Sequence, residues 1–96
     1  MHEKLIEMVL KVQMDDYHDA KMLLEYADEA KMLGANSLAN SFAVRAKARL
    51  NNMAECDHTL QNLLQDDDDD HSVFATLYHK FINKEHEHLK KRIDTF

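Results

Sequence analysis

No proline interrupts this chain and its one glycine stands at position 34, so nearly every residue is free to join a continuous helical hydrogen-bond ladder. Alanine, leucine, methionine, lysine and glutamate fill the intervals, and all five are strong helix formers. The expected fold class is therefore all-α. The 96 residues suffice for one domain. A chain of this length buries only about 60 to 65% of the surface it exposes when unfolded, so its stability gains from association with another chain.

Two places break the helical pattern. Gly34 can take the left-handed conformation that ends a helix, and Asn36 or Ser37 can cap the next one. Five consecutive aspartates, Asp66 to Asp70, repel one another and favour a solvated linker, lacking the glycine and spaced ligands of a calcium loop. The spacing predicts helices over about 2–33, 37–65 and 71–94, with an acidic loop at 66–70, in a single domain over 1–96. Two short connections impose alternation, giving an antiparallel three-helix up-down-up bundle.

Turning each segment by about 100° per residue draws an apolar stripe, and each stripe has a charge at its centre. The first carries Leu5, Val9, Val12, Ala20, Leu23, Ala27 and Ala30 around Asp16. Leu38, Phe42, Ala46, Met53, Cys56 and Leu60 surround Arg49, and Phe74, Tyr78, Phe81, Ile82, Leu89 and Phe96 surround Glu85. Asp16 lies eighteen residues before Gly34 and Arg49 fifteen after it, so folding there sets them within about one helical pitch, 5.4 Å, of the same height. A second fold at the acidic loop sets Glu85 opposite Arg49. The expectation is a buried layer of Asp16, Arg49 and Glu85, with Gln13, Tyr17, Asn52, Tyr78 and His88 near enough to complete its hydrogen bonding. If that layer is fully enclosed, removing Arg49 alone costs about 3 to 5 kcal/mol by stranding two carboxylates.

A second set of apolar residues flanks these stripes: Ile6, Leu10, Tyr17 and Leu24, then Leu50 and Leu64, then Leu77 and Ile93. Three helices need one broad face each, so the surplus implies a partner surface, most simply a homodimer that completes a larger bundle, or a protein partner. Met8, Met14, Met22 and Met32 lie mainly off the central stripe, where flexible thioethers suit an adaptable contact. The net charge of −6, with scattered Lys and Arg, argues against nucleic acid. No apolar run approaches the length needed to span a bilayer, so no membrane partner is expected. A lone Cys56 on an apolar stripe forms no internal disulfide, and Met1 to Lys11 reads as no export signal, which together fit the cytoplasm.

No nucleophile with an adjacent base and no phosphate-binding glycine loop is legible, so a non-enzymatic role in self-assembly or partner binding, without a cofactor, is expected. Iron or another divalent metal is the alternative. The tetrads Glu55-Cys56-Asp57-His58 and Glu85-His86-Glu87-His88 have the Glu-x-x-His form that facing helices use in di-iron sites. Candidate ligands are Asp16, Glu85 and His88, with Glu55 and His58 joining across an interface. His86 and His88 diverge by about 200° on a helix and read, like the other histidines, as solvated. His79 and His86 share a face with Asn83 between them.

The stretch from Glu25 to Phe42, read through Tyr26, Ala27, Ala30, Lys31, Gly34, Leu38, Ala39 and Phe42, resembles the first helical hairpin of ferritin-like proteins of the rubrerythrin kind. The resemblance implies an inward carboxylate before the turn, where Asp16 stands, and an inward Glu-x-x-His after it, where Arg49 and Asn52 stand instead. It thus implies that scaffold with an ion pair in place of iron ligands. A remoter comparison is with the three-helix phosphocarrier subunits of sugar phosphotransferase systems, whose Ala-rich hairpin resembles Ala20 to Ala46. The expected Gln-Asp-His sequel is missing after Tyr78-His79-Lys80-Phe81.

Overall fold

The computed structural model describes residues 3–65 and 72–96; the acidic run Asp66 to Asp70 lies outside the described residues. Three helices make up the fold: α1 (Glu3–Met32), α2 (Asn36–Gln65) and α3 (Ser72–Ile93), with no strand among the described residues. α1 packs mainly on α2, and α3 lies along the hairpin with most of its contact on α2. The protein is an all-α antiparallel three-helix bundle.

Gly34 ends α1 as its chemistry requires, with φ of +80°. The Ala35 N–H donates to the Ala30 carbonyl at 2.8 Å and the Gly34 N–H to the Lys31 carbonyl at 3.1 Å, a Schellman closure of the last turn. The chain then re-enters a helix at once. The Ala39 N–H donates to the Ala35 carbonyl at 2.9 Å, so Ala35 occupies the capping position expected for Asn36 or Ser37. The closed turn leaves no residue to spare before α2 begins.

Close to this turn the hairpin is held by small side chains. Ala20, Ala27 and Ala30 on α1 and Ala39, Ala43 and Ala46 on α2 are all buried, which lets the two helix backbones approach closely. Away from the turn larger residues take over. The main core joins Tyr17, Leu24, Leu50 and Met53 of the hairpin to Ile82, Leu89 and Ile93 of α3. A smaller cluster of Ile6, Leu60 and Leu64 closes the far end.

The core stripe is one residue out from the sequence expectation over much of the hairpin. Ile6, Gln13, Tyr17 and Leu24 are buried where Leu5, Val12, Asp16 and Leu23 were expected to lead, and on α2 Ala39, Ala43, Leu50 and Asp57 replace Leu38, Phe42, Arg49 and Cys56. On α3, Phe74 and Phe81 are exposed, while Ile82, Leu89 and Ile93 are buried. Ile6, Tyr17, Leu24, Leu50, Leu64 and Ile93, expected as a flanking set, join the core beside Ala20, Ala27, Ala30, Ala46, Met53, Leu60, Ile82 and Leu89 of the expected stripes. A step of one residue turns a helix by about 100°, so the edge of the expected stripes that carries Leu5, Val12 and Arg49 faces sideways.

Candidate functional site

The expected ionic layer is half formed. Asp16 is buried, and its Oδ1 lies 3.7 Å from Nη1 of Arg49; Oδ2 of Asp19, on the next turn, lies 3.9 Å from the Arg49 Nε. Arg49 itself is a surface residue with 49% of its side chain exposed, which corrects the expectation of an enclosed guanidinium. The helix rotation described above carries it to the edge of the hairpin. Glu85 does not complete the layer: it is half-buried and hydrogen-bonds with the Tyr17 hydroxyl, on the side of α1 that α3 covers. Acid, base and acid therefore do not share one site.

Burial raises the pKa of Asp16, and this outweighs the opposing pull of Arg49; Asp19 and Asp15 push in the same direction as burial. The Cys56 thiol beside it is also raised, first by burial and then by the charges of Asp16 and Glu55. A thiol raised in this way is a poor nucleophile at neutral pH.

Of the residues expected to support the layer, Gln13 is fully buried and donates from Nε2 to the Met53 carbonyl at 2.9 Å, tying α1 to α2. Tyr17 is buried, its ring edge-on to Phe81 at 6.0 Å between centroids. Asn52 is exposed and lines the groove described below, Tyr78 is half-buried on α3, and His88 is exposed. Burial and the neighbouring charge of Asp57 push the Tyr78 hydroxyl up to about 12.

The proposed metal ligands disperse. Asp16 is engaged by Arg49, Glu85 by Tyr17, and Glu55, His58 and His88 are exposed. Among the described residues no three His, Cys, Asp or Glu side chains gather as a metal-holding group.

Sequence reasoning missed a polar constellation between α2 and α3. Asp57 is buried, and its Oδ2 lies 2.5 Å from Nδ1 of His79. Asn83 Nδ2 lies 3.0 Å from Nε2 of the same ring. With Asn83 donating to Nε2, the ring proton sits on Nδ1 and points at the buried carboxylate. His79 was read as a solvated histidine and is instead the clasp that seats α3. The usable signal is the shared-face spacing of His79 and Asn83, one helical turn apart; Asp57, named only as part of the Glu55–His58 tetrad, carries no local sign of its burial. Nearby, His86 is half-buried and its pKa is lowered, first by burial and then by Lys90. At the other end, Arg92 Nη2 donates to Asp28 Oδ2 at 2.8 Å and fastens α3 to α1.

These links hold α3 to one side of the hairpin and leave the other side open. There a largely apolar groove of about 610 Å³ runs between α1 and α2, lined by Leu5, Met8, Val9 and Val12 facing Glu55, Cys56 and Thr59, with Asp16, Arg49 and Asn52 at its inner end. Leu5, Met8 and Val12 are each about half exposed. Past the charges the same face continues through Leu23 and the ring pair Tyr26 and Phe42, 6.1 Å between centroids. A separate exposed ridge runs along α3 through Val73, Phe74, Leu77 and Phe81. Among the described residues no helix is long and apolar enough to cross a membrane.

The class defined by this geometry is a three-helix bundle with one uncovered hairpin face. Compared with known proteins, the chain matches no protein-family model, no curated protein and no solved structure.

Proposed function

We propose that this protein is a non-enzymatic association module whose working surface is the uncovered face of the α1–α2 hairpin. The observation that carries this reading is that Leu5, Val9 and Val12 of the α1 stripe line an open groove with Arg49 and Cys56 of the α2 stripe. Apolar side chains spaced to fill the interior of a bundle, and left half in water, gain free energy when another helix covers them, at about 25 cal/mol per Å² of apolar surface removed. Self-assembly is the simplest form of such covering.

The likeness to ferritin-like hairpins belongs to the same proposal as a statement about scaffold. In this reading the Asp16–Arg49 pair takes the place where that scaffold holds metal, which supports a layer that positions helices. The free Cys56 thiol suits a reducing cytoplasm.

Sedimentation equilibrium tests the reading. The chain is expected to associate with rising concentration, and Val12→Glu, which sets a charge in the groove, is expected to abolish association while leaving helical circular dichroism intact. A protein that stays monomeric up to millimolar concentration overturns self-assembly as its role.

A further inference from the structure

The open face is apolar at both ends and charged across its middle, and the charges are not mixed at random. The acids, Asp16 and Asp19, are on α1; the bases, Arg45 and Arg49, are on α2. Arg49 meets its two carboxylates at 3.7 and 3.9 Å and keeps 49% of its side chain exposed, so the guanidinium stays accessible on this face. Across this middle band the sign differs from helix to helix, with Glu55 of α2 lining the groove further along, so the band itself is self-complementary under one rotation only.

Resting on the association reading above, we infer that the occupant of the groove is a second copy of this chain, related by a two-fold axis that runs along the helices between α1 and α2. That axis lays α1 of each copy over α2 of its partner at equal height. Asp16 and Asp19 then face the guanidinium layer of the other chain, and the apolar ends meet apolar ends, with Val9 over Cys56 on one side of the charges and Tyr26 over Phe42 on the other. The competing two-fold axis, across the helices at the charged layer, stacks α1 on α1 and sets four carboxylates together. Like charges placed face to face oppose that arrangement.

The area is sufficient. Each hairpin helix has 30 residues. At 1.5 Å per residue and about 10 Å per helix, the face measures about 45 by 20 Å, close to the roughly 800 Å² per partner of a stable interface. The result is a four-helix core of two hairpins, with one α3 on each outer side.

Single-cysteine trapping reads the axis directly. Val9→Cys in a Cys56→Ser background is mixed with the unaltered chain and oxidised, so that each chain carries one thiol and no disulfide can form within a chain. The proposed axis places positions 9 and 56 on facing helices and predicts a disulfide-linked heterodimer. Phe42→Cys in the same background is predicted to give none, because positions 42 and 56 then lie on diagonally opposed helices and about 21 Å apart along them, at 1.5 Å per residue, three times the reach of about 7 Å between α-carbons. The crosswise axis reverses both results. A mixing experiment gives a second readout: Asp16→Arg with Asp19→Arg, and Arg45→Glu with Arg49→Glu, are each expected to be monomeric alone and to form a one-to-one dimer together. Trapping through position 42, or association that survives both charge variants and so runs through the α3 ridge, overturns this pairing while leaving association standing. A monomeric unaltered chain overturns both proposals.

Discussion

Asp16 shows how a single residue can hold a charge against its own stability. Burial shifts its carboxyl above the ordinary 3.8 even with a guanidinium beside it, so the folded chain holds this proton more tightly than the unfolded chain does. Stability therefore falls as pH rises through the interval from 3.8 up to the raised value, and at neutral pH the ionised group is a net cost. Asp16→Asn is expected to leave the urea midpoint at pH 7 unchanged or slightly higher. A clear loss would mean that the Arg49 pair outweighs burial. Because Arg49 is half exposed, Arg49→Met is expected to cost about 1 kcal/mol, well short of the 3 to 5 an enclosed layer implies. Gly34 acts through backbone alone. A Cβ there would meet nothing within 4 Å, yet φ is +80°, so Gly34→Ala is expected to cost about 1 kcal/mol from conformational strain, measurable as a lower thermal midpoint.

At the level of elements, α3 is the member whose attachment can be tuned. Its apolar seating is reinforced by the Asp57–His79 clasp and the Asp28–Arg92 pair, the first with a buried acid and the second exposed. His79→Ala leaves the Asp57 carboxylate buried without its partner and is expected to cost about 1 to 3 kcal/mol. Arg92→Ala is expected to cost under about 1 kcal/mol, since exposed pairs contribute little. Hydrogen exchange on α3 amides separates the two: His79→Ala should release α3 while the hairpin stays protected. His86 adds a pH dependence of the opposite sign to that of Asp16. Its folded pKa lies below 6.5, so the stability it contributes is complete above 6.5 and is lost as pH falls toward the lowered value. Thermal midpoints measured downward from pH 7 should therefore decline over that interval in the native chain and decline less in His86→Asn.

For the molecule as a whole, the hairpin has two apolar faces and α3 covers one. The radius of gyration of 15.6 Å and the extents of 54 × 20 × 14 Å describe a thin slab, a shape that exposes much surface for its mass. Pairing two slabs through their open faces doubles the short dimension and encloses the charged layer in a four-helix core. The thermal midpoint is then expected to rise with protein concentration, as mass action requires when only the folded chain associates. A midpoint independent of concentration from micromolar to millimolar would show that the slab is stable by itself.

Sequence alone determined the helices, because backbone bonding and propensity are local: one glycine at 34, no proline, and the 3.6-residue period around Leu24, Leu50 and Leu89 leave little else to build. It also brought Asp16 and Arg49 to one height, since counting outward from a tight turn is enough when rise per residue is fixed. Only the tertiary structure decided which face of the hairpin α3 would cover. Leu5, Val12 and Leu23 compete with Ile6, Tyr17 and Leu24 for that place, one residue and about 100° apart, with similar apolar content. What tips the balance lies on α3: Phe81 against Tyr17, His79 on Asp57 and Arg92 on Asp28, contacts between residues 22 to 64 positions apart in the chain. Such pairings carry no local signature, so Glu85 went to Tyr17 and Asp57 into the interior, and Leu5, Val12 and Leu38, which the sequence marked as core, were left facing outward.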